Sequence, residues 1–209
     1  MSSPRATEPT HRGAVLDLCD GAPLVDALRA HHPAAPAILF DRYAPQVRRI
    51  LVRVLGSDRE SADLLQDVFL RALESLDRLR DGERLGSWLT SIAVFTARET
   101  IRRRRRWRWL TPFAPEDLPE IAVSGDGAAS EELRAFYTAL SRLPTDERIP
   151  FSLRFVEGME LTEVAEACGV SLATIKRRLS RAEVRFLALA RRSPALAQRL
   201  QEGGGRWSP

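Results

Sequence analysis

The 209-residue sequence has few of the residues that build disulfide scaffolds, metal sites or catalytic centres. Its two cysteines, Cys19 and Cys168, stand far apart without a CxxC spacing, so neither a disulfide nor a zinc site is expected. The three histidines all lie within the first 32 residues. The chain contains no nucleotide-cradling glycine-rich loop, HExxH motif or GxSxG motif. The sequence therefore predicts a protein that is not an enzyme and that needs no metal or cofactor.

Long apolar runs are also missing. No stretch of about 18 apolar residues occurs, and the N-terminal MSSPRATEPTHRG has no apolar core of the kind that a secretory signal contains. The sequence predicts a cytoplasmic protein without membrane insertion, whose 44% apolar residues build packed cores.

Charge is unevenly distributed, although the net charge is only +4. Residues 98–108 hold seven arginines against one acid, and residues 171–192 hold seven basic residues against one acid. Between them, residues 111–132 contain six acids, three prolines and no base. This order predicts two cationic surfaces that meet a polyanion, joined by an acidic flexible linker. An arginine-tryptophan cluster on an anionic membrane is the alternative, but no apolar helix face extends past Ile101.

The segment 161–182 has the spacing of a helix-turn-helix. Thr162 is expected to cap a short first helix whose inward face includes Cys168, and Gly169 supplies the positive φ of the turn. Ser171 then caps a second, strongly basic helix. A plain helical hairpin with a solvated basic face is the alternative interpretation.

Helical periodicity continues through the rest of the patterned sequence, so the predicted fold class is all-α. In the first domain, Pro45 is expected to kink or restart its helix, Ser87 to cap the third helix, and Phe95 to lie either on the surface or, by preference, in the core. Ser130 is expected to cap the first helix of the second domain. The predicted organisation is a partly disordered N-terminal extension (1–35), a helical domain (36–110), the acidic linker (111–129), a second helical domain (130–192) and a flexible tail (193–209).

Three motifs follow one another along the chain: ESADLLQDVFLRALESL, GSWLTSIA with the arginine run after it, and LSRLPTDERIPFSLRFVEGMELTEVAEACGVSLATIKRRLSRA. In this order around an acidic linker, they resemble the bacterial RNA polymerase sigma factors of the extracytoplasmic-function (ECF) group. The resemblance covers roughly residues 37–192. It implies a region 2 domain and a region 4 domain that together bind core RNA polymerase, recognise the −35 and −10 promoter elements and promote DNA opening.

The resemblance also implies partners and residues. Region 2 is expected to dock on the clamp helices of the largest polymerase subunit through Asp63, Gln66, Asp67, Leu70 and Arg71. Region 4 is expected to meet the flap of the second largest subunit, the acidic linker to thread the RNA exit channel, and an anti-sigma factor to hold the protein inactive. Ala62 replaces an acid that the family usually has at the polymerase contact.

The −10 strand is expected to contact the helix that carries the arginine run, and the −35 element the basic helix after Ser171. The predicted −10 contacts are Trp88, Phe95, Arg98, Glu99, Arg102 and Arg103. The predicted −35 contacts are Ser171, Thr174, Lys176, Arg177, Arg178, Ser180, Arg181 and Arg185. The family's usual asparagine, aspartate and serine are replaced here by Phe95, Glu99 and Arg177. The first two replacements imply that the family's −10 preference need not hold for this chain, and Arg177 predicts an altered −35 preference or an extra phosphate contact.

Two other functions fit parts of the pattern. A diverged sigma-like protein would bind polymerase without initiating transcription, and a helix-turn-helix regulator would share only the second domain. A response regulator is disfavoured because the first domain shows no βαβ pattern.

Overall fold

The computed structural model describes residues 21–56, 60–110 and 127–202. Within these ranges every regular element is a helix, which confirms the predicted all-α fold class. The α-helices are α1 (Gly21–Arg29), α2 (Ala35–Leu55), α3 (Ser61–Glu74), α4 (Leu85–Leu110), α5 (Gly127–Ser141), α6 (Thr145–Phe151), α7 (Leu161–Cys168), α8 (Leu172–Ala190) and α9 (Pro194–Glu202). The predicted linker falls largely on residues 111–126, which lie outside the described residues.

The first four helices pack into one core. Leu24 of α1, Leu39 and Leu51 of α2, and Leu85 and Leu89 of α4 are almost completely buried. Helix α2 continues through Pro45 as one element and ends at Gly56, whose φ of 66° is the left-handed conformation expected of a C-terminal glycine. The predicted extension thus includes an ordered helix, because Leu24 and its neighbours in α1 complete this core.

The second domain is built around three phenylalanine rings. Phe151 of α6 lies 4.8 Å from Phe186 of α8, and Phe136 of α5 lies 5.1 Å from Phe186, measured between ring centroids. Pro150 cannot donate a backbone hydrogen bond within α6, and the chain changes to a π-helical segment, Ser152–Val156, directly after Phe151. Gly158 then turns the chain towards α7 with a φ of 81°.

Three helix starts differ from the predicted caps. Helix α7 is capped by Glu160 rather than by Thr162, because the side chains of Glu160 and Glu163 form a reciprocal capping box. Helix α4 begins at Leu85, ahead of Ser87, whose hydroxyl donates to the carbonyl of Arg84. Helix α5 begins at Gly127, ahead of Ser130.

Cys168 is buried in α7, on the inward face where the sequence analysis placed it. Burial raises the pKa of its thiol to about 11, and the nearby Arg98 opposes this shift. The thiol is therefore protonated at physiological pH and inert.

The prediction of a flexible tail from residue 193 was wrong for residues 194–202. Pro194 begins α9, which suits the first position of a helix, and Leu196 inserts completely into the core against α5. The apolar spacing in PALAQRL was too short to be recognised as a core-facing pattern.

We expect Leu196→Ala to lower the free energy of unfolding by about 2–5 kcal/mol, because it leaves a cavity under α9. Val184→Ala on α8 is the control, since Val184 is 68% exposed, and it should change stability by less than about 0.5 kcal/mol. Urea unfolding followed by circular dichroism measures both. Equal effects of the two variants would mean that α9 does not dock.

Candidate nucleic-acid and polymerase interfaces

Helices α7 and α8 form the predicted helix-turn-helix. Gly169 ends α7 with a φ of 65°, and the backbone N–H of Val170 donates to the carbonyl of Ala165 at 3.1 Å. The hydroxyl of Ser171 accepts a hydrogen bond from the backbone N–H of Thr174 at 3.3 Å, so Ser171 caps α8 as predicted. The turn therefore fixes the angle at which α8 leaves α7.

The apolar face of α8 determines which of its side chains reach solvent. Ile175, Leu179, Ala182 and Phe186 are buried, and the cations occupy the rest of the helix surface. The exposed members of the predicted −35 set are Ser171, Lys176, Arg177, Ser180, Arg181 and Arg185, whereas Thr174 and Arg178 are half-buried. The structure thus brings the whole predicted set onto this helix and its N-cap, with Lys176, Arg177 and Arg181 exposed.

Two arginines of α8 are anchored to the domain by acids that the sequence analysis did not single out. Arg185 makes two hydrogen bonds to the carboxylate of Glu147, at 2.8 and 2.9 Å, and Glu147 is buried. Arg178 lies 3.3 Å from the carboxylate of Asp146. Both acids stand in the first turn of α6, where the helix dipole favours them. Their position after Leu143-Pro144 was the available signal, since acids at a helix start are poised to meet cations of a neighbouring helix.

Helix α4 carries the predicted −10 set. Arg102 and Arg103 are exposed, Glu99 is exposed, and Arg98 is half-buried. Trp88 is also half-buried, and it packs against the core near the start of the helix. The cationic end of the helix is held in place because Ala93, Val94 and Ala97 bury its opposite side.

The preferred prediction, that Phe95 lies in the core, was wrong. Its ring is 49% exposed, because Val94, Thr96 and Ala97 take the inward positions around it. The guanidinium of Arg71 lies 5.3 Å from the ring centroid of Phe95, in cation–π geometry. An exposed aromatic ring beside cations is the arrangement that single-stranded nucleic acid binds.

Arg71 joins the two predicted surfaces of the first domain. Besides covering Phe95, its guanidinium lies 2.7 Å from the carboxylate of Glu99 on α4. The residue was assigned to the polymerase contact, yet the structure places it at the border between that contact and the −10 set. A polymerase subunit bound on α3 would therefore adjoin DNA bound on α4.

The rest of the predicted polymerase contact lies on the outer face of α3. Asp63, Gln66, Asp67 and Leu70 are exposed, with Leu70 at 50%. Two exposed apolar residues that the sequence analysis missed adjoin this face: Phe40 of α2, whose ring lies 4.9 Å from that of Phe69, and Leu73 of α3. Leu73 lies outside because the inward positions of α3 are taken by Leu64, Leu65, Val68, Phe69 and Ala72.

The described residues offer neither a metal site nor a membrane span. In 21–56, 60–110 and 127–202, no group of three or more His, Cys, Asp or Glu side chains is arranged to hold a metal ion. Within the same ranges, no helix combines the length and the apolar character needed to cross a membrane.

Comparisons with known proteins find relatives of both domains. The family model described as "Sigma-70 region 2" matches residues 39–107, and "Sigma-70, region 4" matches residues 133–186. The ECF RNA polymerase sigma factor EcfG of Rhodopseudomonas palustris (strain TIE-1) is 31% identical over 168 residues, which are 80% of this chain and 87% of that protein. The RNA polymerase sigma factor CarQ of Myxococcus xanthus is 32% identical over 143 residues, 68% of this chain and 82% of that protein.

The chain belongs to the ECF sigma factor family. Because both sigma regions match, a helix-turn-helix regulator that shares only the second domain is disfavoured. A solved relative, the sigma factor RpoE in complex with the anti-sigma factor NepR from Bartonella quintana, superposes on this sigma factor with a TM-score of 0.56 and 26% identity. The superposed region covers 72% of this chain and 92% of the relative.

The exposure of Phe95 makes a direct prediction for this sigma factor. Phe95→Ala should lower the free energy of unfolding by less than about 1 kcal/mol, which is the size of an exposed cation–π contact. Phe151→Ala, in the aromatic core, should cost about 3–5 kcal/mol. Thermal or urea unfolding measures the stability of both variants. A loss of stability in Phe95→Ala as large as that in Phe151→Ala would mean that Phe95 is a core residue.

Proposed function

We propose that this ECF sigma factor reads a promoter with two separate helices, α8 at the −35 element and α4 at the opened −10 strand, while the outer face of α3 holds core RNA polymerase. The observation that supports the proposal is the presence of two outward-facing cationic helices, one in each sigma region of the chain. The proposed domains are region 2 over 36–110 and region 4 over 130–192.

At the −35 element, the exposed Lys176, Arg177 and Arg181 are the proposed base readers. Lysine and arginine side chains bind the O6 and N7 acceptors of guanine in the major groove. Ser180 lies near the bases on the same face, and the remaining members of the set bind phosphates: Ser171, Thr174, Arg178 and Arg185. The contacts of Arg178 with Asp146 and of Arg185 with Glu147 support a phosphate role, because they fix the positions of these guanidinium groups.

At the −10 element, Phe95 is proposed to stack on an unpaired base where relatives use asparagine. Arg98, Arg102 and Arg103 bind the backbone of the strand, Trp88 supports the start of the helix, and Glu99 positions Arg71 beside the ring. Stacking on an aromatic side chain tolerates any base, so the −10 preference of this sigma factor should be weaker than one read by hydrogen bonds.

Core polymerase is proposed to bind the face of α3 that carries Asp63, Gln66, Asp67, Leu70 and Arg71, through the clamp helices of its largest subunit, while region 4 meets the flap of the second largest. The acidic linker is proposed to lie in the RNA exit channel. An anti-sigma factor is a further proposed partner, because the relative from Bartonella quintana is complexed with one. The protein is proposed to have no catalytic activity of its own and to act in the cytoplasm.

A run-off transcription assay tests the proposal. Purified sigma factor and core polymerase are combined with DNA from upstream of the sigma factor's own operon. A transcript with a defined start that requires the sigma factor supports the proposal. Binding to core polymerase without any specific transcript would instead assign the protein to the sigma-like interaction proteins.

The −35 assignment predicts the behaviour of single variants. In holoenzyme, Arg181→Ala should weaken promoter binding by about 1–3 kcal/mol and relax the preference at one base pair. Arg134→Ala, which removes an exposed arginine of α5, is the matched control and should leave the preference unchanged. Binding is measured by fluorescence anisotropy on a set of single-base promoter variants. An unaltered preference profile for Arg181→Ala would remove this residue from the base-reading set.

A further inference from the structure

Arg71 lies where helices α3 and α4 of the first domain pack against each other. It stands in the last turn of α3, and the resemblance to ECF sigma factors assigns it to the polymerase contact. Its side chain is only 39% exposed, because the guanidinium turns towards α4 rather than away from the domain. The position of Arg71 therefore connects it to the −10 surface as well as to the polymerase surface.

Two contacts on α4 fix the guanidinium of Arg71. Its Cζ atom lies 5.3 Å from the ring centroid of Phe95, over the ring, and its Nη1 atom lies 2.7 Å from Oε2 of Glu99. Phe95 and Glu99 stand four residues apart on α4, so their side chains are neighbours on one helix face. Glu99 thus holds the cation that covers the ring.

The ring of Phe95 has little support from the core. Val94 and Ala97 occupy buried positions around it, and the ring itself is 49% exposed. Exposed side chains change rotamer within picoseconds to nanoseconds, and a ring that binds a base has to give up this freedom. A cation that already holds one face of the ring reduces this loss before the base arrives. The contacts of Arg71 suit it to this task.

One face of the Phe95 ring is left for a nucleic-acid base. Because the guanidinium of Arg71 lies over one face, a base that stacks on Phe95 takes the opposite face. A cation attracts the π electrons of the ring, which leaves the opposite face poorer in electrons. Stacking on such a face is strongest for bases that are large and rich in electrons. Purines meet both conditions better than pyrimidines.

We propose that Arg71 is a positioning residue of the −10 site, which holds the Phe95 ring so that an unpaired purine is bound more tightly than an unpaired pyrimidine. The inference rests on the proposed stacking role of Phe95, and it adds a class of base to a contact that hydrogen bonds do not read. Arg71 acts through the ring and Glu99 acts through Arg71. Neither side chain has to touch the base.

A polymerase contact and a positioning role of Arg71 affect different measurements. Loss of a polymerase contact weakens the binding of core polymerase equally for every promoter sequence. Loss of positioning changes the ratio of the Kd values for purine and pyrimidine at one promoter position. Gln66→Ala is the comparison variant, because Gln66 is exposed on α3 within the proposed polymerase contact. It should weaken core binding and leave the purine preference unchanged.

The test uses holoenzyme and DNA from upstream of the sigma factor's own operon, with the −10 segment kept unpaired by mismatches. Each unpaired base is replaced in turn by A, G, C and T, and Kd is measured by fluorescence anisotropy. The stacking position is the one at which Phe95→Ala removes the differences between bases. At that position we expect purines to bind about three- to fivefold more tightly than pyrimidines, within the range of base stacking on an aromatic side chain.

Two substitutions of Arg71 separate its charge from its packing. Arg71→Met keeps a side chain of similar length beside the ring but removes the cation, and the purine preference should fall below about twofold, a loss of the size of an exposed cation–π contact. Arg71→Lys keeps the cation and should retain most of the preference. Circular dichroism checks that both variants are folded.

The possible failures of the two proposals are distinguishable. A stacking position that depends on Phe95 but shows the same purine preference in Arg71→Met would overturn the positioning role, while the stacking role of Phe95 would stand. Equal preferences in Arg71→Lys and Arg71→Met would overturn the role of the cation. If no base depended on Phe95, both the stacking role and the positioning role would be wrong.

Discussion

The burial of one apolar face on each of two long helices is the constraint on which the other features depend. Arginine side chains remain in solvent or find acidic partners, so packing Leu89, Ala93 and Ala97 of α4 inward turns its arginine run outward. The same holds for α8, where Ile175 and Phe186 are buried and the cations face away from the core. Neither cationic surface needs a loop to display it.

Paired charges then refine these surfaces. Glu147 holds Arg185, and Glu99 holds Arg71 beside Phe95, so guanidinium groups are oriented before any nucleic acid arrives. Preorganised cations lose less conformational freedom on binding. The same kind of interaction joins the two domains, where Glu157 of the second domain binds Arg49 and Arg53 of α2.

The features that the sequence predicted well are those that depend on local patterns. Helical periodicity, the turn at Gly169 and the cap at Ser171 each require only neighbouring residues. The failures required knowledge of distant contacts. Phe95 lies outside because Val94 and Ala97 occupy the inward positions, and α9 forms because Leu196 finds a place against α5. The pairs Arg49–Glu157 and Arg84–Glu166 join residues that are 108 and 82 positions apart, and no periodicity in the chain indicates them. Helix caps are also hard to predict because several neighbouring polar residues can serve as the cap: the Glu160–Glu163 capping box replaced the expected Thr162.

The most direct test of reading by two helices is to map where each helix lies on promoter DNA in the holoenzyme. An iron chelate that cleaves nearby DNA is attached to cysteine at position 103 of α4 or 180 of α8, in a Cys19→Ser background. Cys168 stays unlabelled because it is buried and its pKa is about 11. The account predicts two separate cleavage clusters, upstream from Ser180→Cys and downstream from Arg103→Cys. Overlapping clusters from the two positions would contradict it.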